Sequence, residues 1–147
     1  MHPYPHTYRV TASSTGAAVT VAADTLPPLS TAPPPEFDGP GGHWSPETLL
    51  TAAVADCFVL SFHAIGRAAR FSWLALECEV EGVLEKVDGT LQFSRFHTRA
   101  TLTVPPGADA ARARQLLEKA EHVCLIANSL KASRLLECSV RSGTSSG

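Results

Sequence analysis

The sequence predicts a single-domain α+β fold, in which strand-like and helical stretches follow one another in blocks. The longest block, residues 45–71, is apolar on nearly every side and is typical of a buried helix. Over residues 73–104 apolar and polar side chains alternate on both sides of a tight turn, which predicts a long antiparallel hairpin. An amphipathic helix and a closing strand follow, so the chain mixes both kinds of element.

Length and charge limit the possible functions. A chain of 147 residues is expected to form one domain that buries about 70% of the surface exposed on unfolding, without help from a disulfide or metal. The net charge is −2, the pI is near 6.3, and Lys and Arg form no cluster. This composition argues against a nucleic acid or a membrane surface as the partner and favours a small molecule.

The two ends of the chain indicate the extent of the domain and the cellular compartment of the protein. We expect the domain to cover residues 1–147, with loose termini at 1–7 and 142–147. The N-terminus lacks a basic region followed by an apolar one, so a cytoplasmic protein is expected. Thiols are kept reduced in the cytoplasm, where a pair of cysteines is more often catalytic than structural.

Three residues predict where the central helix begins. Ser45 is a good N-cap, Pro46 suits the first helical position, and Glu47 places a negative charge at the positive end of the helix dipole. A membrane span is the alternative, because the apolar run is nearly long enough for one. Asp56 would then lie near the middle of the bilayer at a cost of ~3 kcal/mol, which favours a buried helix in a protein without a membrane partner.

The strands on either side of the helix are predicted from alternation and turn residues. Runs at 8–12 and 17–22, separated by SSTG, predict a hairpin, and the proline-rich residues 26–42 predict a loop. After the helix, a row of glutamates forms the solvent face of the first long strand, and Asp88-Gly89 is a tight-turn signal. Along the second long strand, the apolar residues first occupy one set of alternate positions and then the other. One extra residue in the strand would explain this shift, so a bulge is predicted near Ser94 and Arg95.

The C-terminal third contains a second helix and a last strand. Asp109 is expected to open a helix whose inward face consists of Ala113, Leu116, Leu117, Ala120 and Cys124. A further helical stretch is predicted over residues 125–134, and a closing strand over 136–140.

The four cysteines divide into two pairs. Cys78 and Cys138 lie in the apolar phase of strands, where a free cysteine behaves as a small hydrophobe. Cys57 and Cys124 lie on apolar helix faces near polar residues, and the residues alone leave open a two-cysteine site or two structural cysteines. A zinc site that adds His122 or His63 lacks a CxxC pair, so neither a metal nor a cofactor is expected.

Two motifs resemble those of a known family. SPETLLTAAVADCF and HVCLIANSLK are similar to the two cysteine motifs of the OsmC/Ohr family of osmotically inducible and organic-hydroperoxide-resistance proteins. The resemblance covers residues 8–140. It implies an α+β, OsmC-like fold, in which antiparallel sheets pack around long buried central helices, and an intertwined homodimer.

The same resemblance implies an activity and its residues. Cys57 would be the peroxidatic cysteine, Cys124 the resolving cysteine, and Glu47 the carboxylate near the active centre, in a thiol-dependent peroxidase that reduces small organic hydroperoxides. The reductant would be a dithiol, often a lipoyl group in this family. Glu47 precedes Cys57 by ten residues, about 15 Å along one helix, so it would act from a bent entry turn or through another chain.

One position departs from the family pattern. Members supply an activating arginine from the N-terminal hairpin or from the loop before the central helix. Here Arg9 is the only arginine before that helix, and Glu36 stands about where one is expected. The alternative function is a non-catalytic OsmC-like protein that binds a small apolar ligand in the dimer-interface pocket.

Overall fold

A computed structural model describes residues 1–143 of the chain. The contacts divide the protein into two units, Met1–Leu50 and Thr51–Gly147, and the division falls within the first long helix. The first unit carries a three-stranded antiparallel sheet, and the second carries a three-stranded mixed sheet with two further helices. This content confirms the predicted α+β class.

The sheet of the first unit consists of β1 (Thr11–Thr15), β2 (Ala18–Ala22) and β3 (Leu29–Thr31), in that order. The predicted hairpin is present, but its first strand begins later than expected and its turn is at Gly16 and Ala17. Gly16 has a φ of 63°, which a glycine adopts without strain. Strand β3 pairs with β2 and lies in the region that was predicted to be a loop. The same region contains a 3₁₀ helix, Pro35–Phe37.

Helix α1 (Pro46–Ala68) begins where the sequence predicts it. The Ser45 hydroxyl accepts a hydrogen bond from the Thr48 N–H at 3.1 Å, and the Thr48 hydroxyl accepts one from the Ser45 N–H at 2.9 Å. This reciprocal arrangement is a capping box in which threonine replaces the usual Glu or Gln. It satisfies two backbone donors at the start of the helix.

The sheet of the second unit consists of β4 (Ala75–Val87), β5 (Thr90–Val104) and β6 (Ser133–Ser142). Strands β4 and β5 form the predicted antiparallel hairpin, and both turn residues, Asp88 and Gly89, have positive φ angles, of 51° and 81°. The register shifts between Val83 and Leu84, which leaves Ser94 without a partner on β4. The bulge predicted near this position is therefore confirmed.

Strand β6 corrects two details of the prediction. It lies parallel to β5, so this sheet is not wholly antiparallel, because α2 (Ala110–Val123) and α3 (Leu125–Asn128) carry the chain back across the sheet. The helical stretch predicted over residues 125–134 ends at Asn128, and Arg134 belongs to β6.

The C-terminal end continues further than predicted. Ser142 is the last residue of β6, and the Gly143 N–H donates to the Val104 carbonyl at 2.8 Å, whereas a loose end was predicted from residue 142. The rest of that predicted tail, residues 144–147, lies outside the described residues. At the other end, residues 1–7 form no helix or strand.

The core of the second unit lies between the sheet and the two longer helices. Its fully buried members are Phe58 and Phe62 of α1, Ala100, Leu102 and Val104 of β5, and Ala113, Leu116, Leu117 and Ala120 of α2. The inward face predicted for α2 is therefore confirmed.

Helix α1 is buried along one stripe only. Its buried residues are Val54, Phe58, Phe62 and Gly66, which recur every fourth position, while Leu60 remains 56% exposed. By length and composition alone α1 could cross a membrane. The expectation of a helix buried all round is not met within one chain, because the sheet and α2 cover one side of it.

Candidate functional site

Cys57 lies in the middle of α1 and is partly accessible. Its side chain is half-buried, and its Sγ lies 3.9 Å from the Ser61 hydroxyl, one turn further along the helix. The i, i+4 spacing places these two side chains on the same face, so Ser61 is a polar neighbour that the helix geometry provides. Sequence reasoning noted Ser61 only as a polar interruption, although this spacing was the available signal.

Cys124 lies at the junction of α2 and α3. Its backbone, with φ −59° and ψ 105°, leaves the helical region and so ends α2 and caps α3. The residue is fully buried, at 0% exposure. The periodicity of α2 points it into the core, in the position that the sequence predicted.

The two thiols are neighbours. Cys57 and Cys124 come from different helices, and the Cys57 side chain lies close enough to Cys124 to affect its pKa. Burial raises the pKa of Cys124 to about 11, and its proximity to Cys57 and the charge of Glu121 act in the same direction. The Ala127 N–H, which donates a hydrogen bond to the sulfur, offsets part of this rise.

This arrangement places an accessible thiol beside a protected one. A disulfide between two cysteines needs close and correctly directed side chains. Both cysteines are free thiols in this structure.

Glu47, the third residue predicted for the site, lies in the first turn of α1. It is half-buried and belongs to the first unit, whereas both cysteines belong to the second. Its role as the carboxylate of the site stays a prediction.

The two remaining cysteines occupy one row of the sheet. Cys78 pairs with Ala100, which in turn pairs with Cys138, and both thiols pack against the core. Burial, followed by the charge of Glu121 and the neighbouring Cys124, raises the pKa of Cys78 to about 11. Burial also raises the pKa of Cys138, mainly with the help of Glu118.

The histidines proposed for a zinc site lie elsewhere. His63 stacks on Trp73, with ring centroids 5.5 Å apart, and His122 is exposed. Among residues 1–143, no three His, Cys, Asp or Glu side chains converge into a group that could hold a metal ion.

A family model described as OsmC-like protein matches residues 39–138, which include both Cys57 and Cys124. The chain belongs to the OsmC-like family. This confirms the resemblance that the two cysteine motifs suggested.

Two relatives are similar to this chain over most of its length. Peroxiredoxin OsmC of Escherichia coli strain K12 is 28% identical over 106 residues, which cover 72% of this chain and 73% of the relative. The uncharacterised protein YmaD of Bacillus subtilis strain 168 is 29% identical over 115 residues, with 75% and 77% covered.

Solved structures show the same fold. The OsmC-like protein VCA0330 of Vibrio cholerae superposes with a TM-score of 0.83, covering 91% of this chain and 99% of that one, at 16% sequence identity. At this identity the likeness establishes the OsmC-like fold alone.

Proposed function

We propose that the protein is a thiol-dependent peroxidase that reduces organic hydroperoxides through Cys57 and Cys124. The observation that carries this proposal is that the half-buried Cys57 thiol and the fully buried Cys124 thiol are neighbours. Membership of a family that includes a peroxiredoxin supports a peroxidase-type role. Within this pair, the difference in exposure supports Cys57 as the cysteine of the first step, because the hydroperoxide must reach the sulfur that attacks it.

The chemistry follows the ordinary reactions of thiols. The Cys57 thiolate attacks the distal peroxide oxygen, the O–O bond breaks, and the alkoxide takes up a proton and leaves as an alcohol. Cys57 is then a sulfenic acid. Cys124 condenses with it, which forms the disulfide and releases water.

Two further thiols must reduce this disulfide. A small dithiol attacks the accessible Cys57 sulfur, both protein thiols are regenerated, and the dithiol leaves as its own disulfide. A lipoyl group fits this requirement because it carries two thiols that close into a ring. The proposed enzyme needs no metal and no bound cofactor for these steps.

The uncovered side of α1 supports a homodimer. Apolar residues lie on nearly every side of this helix, yet only four of its 23 residues are buried within one chain. A second copy can cover the remaining apolar surface, and obligate interfaces are rich in such surface. The assembly is expected to be obligate and cytoplasmic, and ultracentrifugation that found a folded monomer at micromolar concentration would contradict it.

Family members supply an activating arginine from the segment before α1, and no arginine stands at the expected position here. This difference affects the expected rate of hydroperoxide reduction. An arginine beside the peroxidatic cysteine would favour its thiolate and stabilise the departing alkoxide. We therefore expect hydroperoxide reduction at least about tenfold slower than in an arginine-containing relative, since removing one such group typically lowers rates by ~10² or more.

A second candidate function is the binding of a small apolar ligand without turnover. A groove of about 520 Å³ between α1 and α2 supports it. Its walls are Ala64, Ile65, Ala68, Ala69 and Leu116, with Arg112, Gln115 and Lys119 at its polar side.

Steady-state reduction of cumene hydroperoxide by dihydrolipoamide, with Cys57→Ser as the control, separates the two functions. The peroxidase predicts turnover that disappears in the variant. No turnover, with Cys57 still reduced after excess hydroperoxide and a ligand copurifying with the protein, would instead establish the binding function.

A further inference from the structure

The turn that carries Cys124 is held by one side chain of the neighbouring strand. Arg134 is the second residue of β6, and its backbone is fixed opposite Phe96 in the parallel ladder. Its guanidinium donates to the Glu121 carboxylate through Nε at 2.7 Å and also to the Glu121 carbonyl. A third bond, at 2.7 Å, goes to the Asn128 side-chain oxygen.

Asn128 continues the contact into the turn itself. Its side-chain amide donates to the His122 carbonyl at 3.1 Å, and its backbone N–H donates to the Cys124 carbonyl at 2.9 Å. Carbonyl groups at the end of a helix have no partner within the helix. Arg134 and Asn128 together therefore bind the carbonyls of Glu121, His122 and Cys124 itself, and connect the end of α2 with the end of α3.

This connection is partly shielded from water. The side chains of Arg134 and Glu121 are 24% and 16% exposed, so their ion pair is better protected than the ion pairs on the outer face of the sheet. Arginine suits the position because its planar fork can serve several acceptors at once, whereas lysine acts as a single point charge.

We propose that Arg134 is a positioning residue for disulfide formation, which acts through Glu121 and Asn128 to keep the Cys124 thiol facing Cys57. The inference rests on the proposed peroxidase function. It adds that the second chemical step, disulfide formation, depends on a residue outside the cysteine pair. Reactions between groups that are held in place are sensitive to small displacements, and a shift of ~1 Å can lower a rate by ~10². The hydrogen bonds of the Arg134 guanidinium go to Glu121 and Asn128, so we expect the first step, at Cys57, not to depend on it.

The electrostatics of the turn act in the same direction. Glu121 is among the groups that raise the pKa of Cys124, and the charge of Arg134 opposes that carboxylate. Without the guanidinium, Glu121 would hold Cys124 more firmly in the unreactive thiol form.

The test measures attack by Cys124 without relying on peroxidase activity. All proteins in the test carry Cys78→Ala and Cys138→Ala, which remove the two other half-buried thiols. Ellman's reagent then first reacts with Cys57, which releases one thionitrobenzoate and leaves a second attached to Cys57. The Cys124 thiolate then attacks the Cys57 sulfur, the mixed disulfide breaks, and the second thionitrobenzoate leaves. Absorbance follows both releases, and Cys124→Ser, which lacks the second one, identifies it.

Arg134→Met is expected to slow the second release at least about tenfold and to change the first by less than about twofold. Arg134→Lys should restore part of the loss. Arg141→Met is the matched control, because Arg141 lies on the same strand and its Nε donates to the Thr103 hydroxyl at 3.1 Å, away from the turn. Asn128→Ala, at an exposed position, should also slow the second release if Arg134→Met does not fold.

An unchanged second release in Arg134→Met, or in Asn128→Ala, would overturn the inference. A slowing of both releases to the same extent would also overturn it, since that result indicates a general loosening of the fold. Failure of the proposed peroxidase would appear differently, as the absence of hydroperoxide reduction in the unmodified protein with both releases intact.

Discussion

The helix cysteines, Cys57 and Cys124, and the sheet cysteines, Cys78 and Cys138, carry the same side chain in different surroundings. The helix cysteines are neighbours, and Cys57 is half-buried whereas Cys124 is fully buried. The sheet cysteines lie on either side of Ala100 in one row and pack against the core. Burial alone therefore does not mark a redox site, because Cys57, Cys78 and Cys138 are all half-buried and both Cys57 and Cys78 lie near Cys124. The helix pair differs in that it is carried by the two motifs that resemble those of the family.

The largest effect separates Cys57 from Cys78. Cys57→Ser should reduce hydroperoxide turnover at least about a thousandfold, because a serine hydroxyl cannot replace the thiolate nucleophile and loss of a nucleophile typically has effects of this size or larger. Cys78→Ser should keep turnover within about twofold of the unmodified protein, since Cys78 has a packing role. Turnover in Cys57→Ser would show that another cysteine reacts first.

A second experiment distinguishes the roles within the helix pair. Cys124→Ser should still consume one equivalent of hydroperoxide, because the first step needs Cys57 alone. The product should remain as a sulfenic acid, which dimedone traps and mass spectrometry locates on Cys57. A variant that forms a disulfide as readily as the unmodified protein would indicate that Cys78 or Cys138 resolves Cys57.

The pH dependence of alkylation extends the comparison to Cys78 and Cys124, the two thiols whose pKa is raised to about 11. The pKa of both Cys78 and Cys124 is raised to about 11, so each is almost wholly protonated at neutral pH. Since the thiolate is the nucleophile, labelling of Cys78 and Cys124 by iodoacetamide should rise about tenfold per pH unit between about pH 8 and 10. Mass spectrometry of labelled peptides measures this, and labelling of Cys124 that is already maximal at pH 8 would contradict it.

The smallest effect concerns stability. Cys78→Ala should lower the free energy of unfolding by about 1 kcal/mol, because it removes one partly buried sulfur from a packed interior, and it should leave turnover unchanged. Urea denaturation at pH 7 measures the change. A large loss of turnover without loss of stability would place Cys78 in the reaction.

Local patterns predicted the elements that depend on local interactions. Ser45 and Pro46 fixed the start of α1, the alternation of apolar residues predicted β4 and β5, and the periodicity of α2 placed Cys124 inward. The resemblance of two short motifs then led to the family. Nothing in these patterns gave the direction of β6, because parallel pairing with β5 depends on contacts between distant parts of the chain.

The residues around Cys124 were missed for the same reason. Arg134 was assigned to a helix, since the run after Cys124 has helical composition, but the chain ends α3 at Asn128 and returns to the sheet. Only this return brings the guanidinium to Glu121. Likewise, the sequence left open whether Cys57 and Cys124 form one site, because their proximity depends on two helices that are far apart in the sequence.

The most direct test of the central claim is the disulfide that forms when the reduced protein meets one equivalent of cumene hydroperoxide. Peptide mapping after alkylation of the remaining free thiols identifies its two cysteines. The account predicts a bond between Cys57 and Cys124, with Cys78 and Cys138 recovered as alkylated thiols. A bond from Cys57 to Cys78 or Cys138 as the main product, or no disulfide at all, would contradict it.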